Sequence, residues 1–503
     1  MKLASPALLC LLVASCGPPP APKHGGGGHA TASDTPVDWS APGIDWSHPP
    51  APGPESPFAV PTPAVSELPN GLHVVVVENH RLPLVSAQLI LPGAGSASDP
   101  PRLFGLAALT ADLLDEGTGT LGAMQVAAEL ERLGAYLQTS ADTDVAAISI
   151  DSLSSTLPDA LLLVSNLVRA PSLGQADFDR VKADRLSAIR RRRDRPRAVA
   201  GLVMDRVLFG AHPYAHPGAG YERTLSAITL DDVREYYRTR YAPTGATLVV
   251  AGDVVAADVD AMVAKAFGGW KRRTAPPLPM PAVDTTARPR LVVVDNPGAA
   301  QSEIRIGRVS ITRSAPSYFP ARVANTVLGG SFTSRLNRRL REELGYTYGA
   351  GSSFWTGARS GTWTARSALR TDVTVAGLRE ALRLIQSVRT SAVPADELNR
   401  GKELLVRQLS GQFETNGQIA GSFAELASEN VGLDWYRGYT AGIKGVGDAD
   451  VRAFADSQWA PESLVVVVVG DLSKVMDGLL DLGLGPALEL GPEGDAVRTH
   501  AAP

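Results

Sequence analysis

The sequence reads as an α+β protein made of two similar halves, and three observations predict that class. Its 503 residues, 44% of them hydrophobic, hold apolar mass for two to four domains at ~100–200 residues each. From Ala64 onward, short β-branched runs alternate with segments of helical period. The third observation is an internal repeat. Tyr241-Ala242-Pro243, Leu248-Val249-Val250 and Gly252-Asp253 recur as Trp459-Ala460-Pro461, Val466-Val467-Val468 and Gly470-Asp471, always displaced by 459 − 241 = 218 residues. An aromatic-Ala-Pro and a Gly-Asp held at one spacing around a Val-rich run mark a duplication. The expected plan is one half over 64–273, a Pro-rich linker over 274–289, a second half over 290–483 and a loose tail over 484–503.

Ahead of the body, Met1-Lys2 and the apolar run Ala7 to Ala14 predict a secretion signal over 1–15, since the run is shorter than the ~20 residues of a spanning helix. Its end, Leu12-Val13-Ala14-Ser15-Cys16, resembles a bacterial lipobox, which implies cleavage before Cys16 and acylation of that cysteine. Gly17 is not the aspartate that commonly retains such lipoproteins in the inner membrane. The expectation is therefore an outer-membrane lipoprotein of the bacterial cell envelope. With two cysteines in the chain, and Cys10 leaving with the signal, disulfides do not hold this fold.

Residues 16–63 read as a flexible tether, because 13 prolines and seven glycines between Gly17 and Pro63 leave too little apolar surface to order it. Within it, Val37-Asp38-Trp39-Ser40 and Ile44-Asp45-Trp46-Ser47 repeat one pattern; docking aromatics and accidental exposure are both open readings of Trp39 and Trp46. His24, His29 and His48 lie there without a rigid frame.

In the body, the turn Leu68-Pro69-Asn70-Gly71-Leu72 feeds a strand over His73 to Val77, with Val85 to Leu91 expected beside it. Apolar residues Leu103, Leu106, Leu109, Leu113 and Leu114 predict a helix. Further helices are expected at Met124 to Leu133, Leu157 to Val168, Asp177 to Arg193 and Leu230 to Tyr237, and strands at Ala146 to Ile150 and Thr247 to Ala251. The run Arg190 to Arg193, with Arg195 and Arg197, reads as a solvated helix end. Balanced charge, 48 Lys+Arg against 52 Asp+Glu, offers no basic excess for a nucleic-acid partner.

Several stretches together resemble the insulinase/pitrilysin family of zinc peptidases, which includes the mitochondrial processing peptidase. They are Leu68-Pro69-Asn70-Gly71-Leu72, Gly105-Leu106-Ala107, Phe209-Gly210-Ala211-His212-Pro213-Tyr214, Tyr241-Ala242-Pro243 with Gly252-Asp253, and Ser334-Arg335-Leu336 through Arg341-Glu342 to Tyr348. The resemblance implies two halves, each a layer of helices on a mainly antiparallel sheet, enclosing a cavity that takes an unfolded peptide.

Active members of that family carry His-x-x-Glu-His directly after Gly-Leu-Ala. Residues i and i+4 share a helix face, so two imidazoles converge on one Zn²⁺ beside a glutamate base. Here Ala108 and Asp112 stand at the histidine positions and Ala111 at the base, while Ser187-Ala188 replace the third ligand ahead of Ile189-Arg190-Arg191. An alanine neither binds metal nor moves a proton. Asp112, Asp115, Glu116 and Asp184 read as solvated helix faces. His212 and His216 have i, i+4 spacing, but Pro213 and Pro217 argue against a regular helix, and the resemblance makes the His-Pro-Tyr a structural turn.

The second half keeps its part of the pattern. A loop, Leu328-Gly329-Gly330-Ser331-Phe332-Thr333, precedes a helix that Thr333 or Ser334 is expected to cap, which buries Leu336, Leu340 and Leu344 and ends at Gly345. The resemblance makes Arg341 and Tyr348 the pair that holds the substrate carbonyl and stabilises the tetrahedral intermediate. On residues alone, with Arg335, Arg338 and Arg339 nearby, Arg341 reads as a solvated arginine of a basic helix. Gly329 and Gly330 are either a plain capping turn or a substrate loop like that of the processing peptidase's non-catalytic subunit. The expected function is a zinc-free subunit that lends Arg341 and Tyr348 to a zinc-motif-bearing homologue in a heterodimer acting on peptides. The chain itself binds no cofactor, zinc belongs to the partner, the lipid anchor holds it to a membrane, and nucleic acid is no partner. A non-enzymatic scaffold or peptide-binding protein of the same fold is the alternative; a self-sufficient metallopeptidase conflicts with the missing groups.

Overall fold

The computed structural model describes residues 53, 58–285 and 288–502, so Cys16, Trp39, Trp46 and the expected signal lie outside the described residues. Strands β1 (Ala64–Glu67), β2 (His73–Glu78), β3 (Leu84–Pro92), β4 (Tyr136–Ala141), β5 (Val145–Leu153) and β6 (Thr247–Gly252) form one sheet in the order β1-β2-β6-β3-β5-β4. Strands β7 (Leu291–Asp295), β8 (Gln301–Ser310), β9 (Thr347–Thr356), β10 (Gly361–Arg370), β11 (Val465–Gly470), β12 (Ala487–Leu490) and β13 (Ala496–His500) form the other, ordered β13-β12-β7-β11-β8-β10-β9. Pairing is antiparallel except at β2–β6, β7–β11 and β7–β12.

The first half adds helices α1 (Leu106–Asp112), α2 (Ala123–Leu133), α3 (Leu157–Arg169), α4 (Gln175–Arg192), α5 (Pro196–Phe209), α6 (Glu222–Ala227), α7 (Leu230–Arg240) and α8 (Ala256–Phe267). The second adds α9 (Tyr318–Leu328), the short α10 (Arg335–Asn337), α11 (Thr374–Thr390), α12 (Ala395–Gly411), α13 (Asn416–Ser428), α14 (Tyr439–Gly445), α15 (Asp448–Gln458) and α16 (Leu472–Leu480). The 218-residue displacement carries α7 onto α15 and β6 onto β11, residue for residue at both ends.

Each half sends one helix to the other. α5 packs on β8 and β11, placing Val199, Leu202 and Val203 against Val292, Val294, Val465, Val467 and Val469. Its repeat equivalent α13 packs on β3 and β6, where Ile419, Ala420 and Phe423 share a core with Ile90, Val249 and Ala251. The opposite faces bury Val74, Val76, Leu248 and Val250 under helices of the first half, and Val466 and Val468 under those of the second. Both faces of β2, β6, β7 and β11 are thus covered, which is why these strands read as near-continuous valine runs.

Two expectations change. β3 does not pair with β2: β6 lies between them, parallel to β2 and antiparallel to β3. A parallel pair needs a long crossover, and here the chain from β3 to α7 supplies it. Residues 484–502 are not a loose tail, because β12 and β13 extend the second sheet; Glu489 of β12 holds Arg498 at 2.7 Å and His500 at 2.6 Å across the hairpin. The arginine run at the end of α4 is largely exposed, as a solvated helix end should be, and two of its members are paired. Arg190 and Arg193 reach Glu222 at 2.9 and 3.0 Å, and Arg193 also reaches Glu493 in the β12–β13 turn at 2.8 Å.

Candidate functional site

The Gly-Leu-Ala stretch starts α1 through a buried carboxylate. Asp99 accepts the backbone N–H of Gly105 and of Ala107, both at 2.7 Å, satisfying donors that a helix start leaves free. Gly105 sits at φ +103, and an added Cβ would lie 2.8 Å from the Ala219 carbonyl, so only glycine fits. Burial pushes the Asp99 carboxyl up to about 7, against the N–H donors that favour its charged form.

One turn on, Ala108 and Ala111 are buried in the core of the first half. Asp112 is held by Arg185 of α4, whose Nε donates to its carboxylate and whose Nη2 donates to the Ala108 carbonyl at 3.0 Å. Arg180, also on α4, pairs likewise with Glu116. Asp115 beside them is pushed up to about 6 by burial and by Glu116. Ser187 is exposed and turns its hydroxyl onto the Ala183 carbonyl at 3.0 Å, and Asp184 faces solvent. Two methyl groups offer no ligand atom and the one carboxylate carries a guanidinium. These positions do not fit a zinc ion, and the described residues hold no group of three or more His, Cys, Asp or Glu placed to bind a metal.

His212 and His216 flank a single 3₁₀ turn, Pro213–Ala215, and have separate structural duties. Nδ1 of His212 accepts the Tyr214 N–H at 3.1 Å, while His216 stacks on Phe104 with centroids 3.9 Å apart. Burial lowers both imidazoles from their ordinary range. The Tyr214 hydroxyl donates to Asp144 at 2.5 Å, and Asp144 accepts the Ala358 N–H at 2.9 Å, clasping the β4–β5 turn of one half to the β9–β10 turn of the other.

In the second half, α10 widens into a π-helical turn over Arg338–Glu343. Ser334 occupies the capping position without the expected side-chain bond, and its hydroxyl is buried with no partner. Instead Asn337 ties the loop down, donating to the Phe332 carbonyl at 2.7 Å and accepting the Ala350 N–H at 3.3 Å. Leu336 and Leu340 are buried, Leu344 partly so, and Gly345 ends the turn at φ +63. The extra residue of a π turn rotates the residues beyond it, and such turns recur at functional sites.

Arg341 lies on this turn with its guanidinium 4.8 Å from the centre of the Phe332 ring and 3.4 Å from Glu342. Tyr348, second residue of β9, is 90% exposed, and Phe332 is 67% exposed. Both members of the expected pair line one cleft of about 630 Å³, with Phe332, Glu303, Arg366 and, from the start of α5, Arg197. Gly329 and Gly330 are not among its lining residues, which begin in this loop at Ser331. An added Cβ would meet Ser352 at 2.4 Å or Asn325 at 2.6 Å, and the Gly329 carbonyl accepts the Ser352 N–H at 2.8 Å. Arg197 and Arg366 escaped the sequence reading. The first was absorbed into the basic run, and the second is an exposed position on a strand whose neighbours, Trp363, Ala365 and Leu369, are buried.

Two family models match the sequence: Insulinase (Peptidase family M16) over residues 74–206 and Peptidase M16 inactive domain over 227–405. The non-peptidase homolog YmxG of Helicobacter pylori is 26% identical over 55% of this chain and 63% of its own length, so the match spans under two thirds of that relative. An uncharacterized zinc protease of Mycobacterium leprae is 30% identical over 60% of this chain and 68% of its own. The beta subunit of the mitochondrial-processing peptidase of Lentinula edodes is 22% identical over 53% and 57%. Among solved structures, the peptidase M16 inactive domain from Pseudomonas fluorescens superposes with a TM-score of 0.74 at 25% identity, covering 81% of this chain and 98% of that one. A chain of Complex III2 from Candida albicans shares the fold at 15% identity, with a TM-score of 0.71 over 84% and 99%.

Proposed function

The chain belongs to the insulinase (M16) peptidase family as an inactive homologue, and from that premise we propose that it is the zinc-free subunit of a two-chain peptidase. In this reading Arg341 and Tyr348 bind the carbonyl of a peptide held at the zinc site of a homologous partner. They are fixed donors to the oxyanion that develops there, a role that suits a guanidinium and a phenol held without reorganisation. The observation that carries the reading is the exposure of Tyr348, 90%, beside Arg341 in one cleft. A phenol kept for the chain's own packing would be buried, whereas one that completes a neighbour's site stands free.

Two likenesses support assembly with a family partner. One relative is named as a subunit of a processing peptidase, and one structural neighbour is a chain of Complex III2. Acylation at Cys16 would hold the pair at the outer membrane.

Reconstitution tests the proposal. The purified chain alone is expected to leave an unstructured peptide intact, and adding a His-x-x-Glu-His homologue from the same organism is expected to yield cleavage. Chelator-sensitive activity of the isolated chain would overturn the proposal. Assembly with the homologue but no cleavage would favour the scaffold reading.

A further inference from the structure

The cleft that holds Arg341 and Tyr348 is cationic, lined by three arginines against one carboxylate. Three guanidiniums line it, each delivered by a different element: Arg197 by α5, Arg341 by the π turn and Arg366 by β10. Its one lining carboxylate, Glu303, is buried and already taken by Arg305 at 3.1 Å. Arg305 in turn donates to the Arg197 carbonyl at 3.1 Å, which pins the start of the exchanged helix at the cleft wall. Arg197 and Arg366 are exposed and form no close ion pair among the described residues, and the positive charge of both acts, with that of Arg305, on the Glu303 carboxylate. Arg341 pairs with the solvent-facing Glu342 at 3.4 Å. Packing one sign of charge into a concave wall costs self-repulsion and focuses the field on whatever enters.

We propose that this cleft selects peptides by a carboxylate, carried either on an acidic side chain or at the peptide's C-terminus. The inference rests on the reading of the cleft as a peptide site. Arginine forks match carboxylate geometry with paired donors, and Phe332 and Tyr348 give the adjoining residues an aromatic surface to lie on. A lysine-bearing peptide meets like charge in the same place. The first half, by lending Arg197 on α5, takes part in substrate choice even though its own motif positions carry no chemistry.

Calorimetric titration of the full chain tests this with four Gly/Ser decapeptides: one with a central glutamate pair and an amidated end, one neutral with a free C-terminus, one neutral and amidated, and one with a central lysine pair. At least one carboxylate peptide is expected to bind about tenfold more tightly than the neutral amidated peptide, the order of one charge-assisted contact, and the lysine peptide to bind weakest. Whichever carboxylate peptide wins identifies the source. Arg366→Gln and Arg197→Gln, both at exposed positions, are each expected to shrink the ratio between the carboxylate peptide and the neutral amidated peptide severalfold. Equal binding of all four peptides, or a preference untouched by both variants, overturns the inference. Because the readout is binding by this chain alone, indifference to charge alongside cleavage by the reconstituted pair sinks only the selectivity. Selective binding with no cleavage in the reconstituted pair sinks only the subunit reading.

Discussion

The guanidinium of Arg185 bonds the carboxylate of Asp112 and, at 3.0 Å, the carbonyl of Ala108, so that α4 supplies a positive group to the face of α1 where a metal-binding relative would place its ligands. An ion pair here ties two helices together with no metal. Arg185→Ala would leave a half-buried carboxylate and a carbonyl unsatisfied, a loss of about 1–3 kcal/mol. Urea denaturation is expected to show that loss as a lower midpoint, and the same experiment with a chelator added to the unaltered chain is expected to show no shift.

The exchange of α5 and α13 makes each sheet dependent on the other half. Fragments over 58–273 and 288–502, expressed separately, would each expose a valine-lined face. Each is expected to aggregate or stay unfolded, and co-expression to give a soluble complex, read by size exclusion and circular dichroism. Within the intact chain, Phe423→Ala on α13 is expected to cost about 3–5 kcal/mol and to lower a single transition shared by both halves.

The duplication was legible because its markers, Tyr241-Ala242-Pro243 and Trp459-Ala460-Pro461, carry the same helix-to-strand corner in both halves. The exchange was not. A valine run says that both faces of a strand are covered, but nothing local says by which helix. β6 entering between β2 and β3 is likewise a long-range event with no turn signal. β13 escaped because its residues, Val497 and Arg498 among them, face solvent at a sheet edge and show no apolar pattern. At the motif positions, absence of ligands could be read directly from Ala108 and Ala111. The partner of Asp112 could not, although two arginines on the facing helix, Arg180 and Arg185, were a usable signal. The π turn under Arg341 keeps apolar residues at the spacing of an ordinary helix, so its widening had no mark in the sequence.

Asp99 gives the fold a pH dependence of definite sign. Its carboxyl ordinarily titrates near 3.8 and burial raises it to about 7 in the folded chain, so between those values the folded state holds a proton that the unfolded state has lost. Its contribution to stability is complete below about pH 4 and is lost as pH rises toward 7. Asp99→Asn removes the titration. The stability difference between the two proteins, followed by urea midpoints from pH 4 to 8, is expected to change across this window and to level off above it. A difference constant with pH would contradict the assignment.

The His-Pro-Tyr turn predicts a mechanical role. Tyr214→Phe deletes the hydroxyl that holds Asp144, and with it one side of the clasp between the two halves. A loss of about 1 kcal/mol is expected from the partly buried acceptor left without its donor. Hydrogen exchange is expected to rise first at the turns around Asp144 and Ala358.

The most direct measurement is peptide turnover by the reconstituted pair when Arg341→Ala is introduced into this chain, with assembly and the partner's zinc content checked in the same samples. The account predicts a fall of about 10²–10³-fold with both checks unchanged, the size expected for losing one preorganised oxyanion donor. Turnover equal to that of the unaltered pair would contradict it.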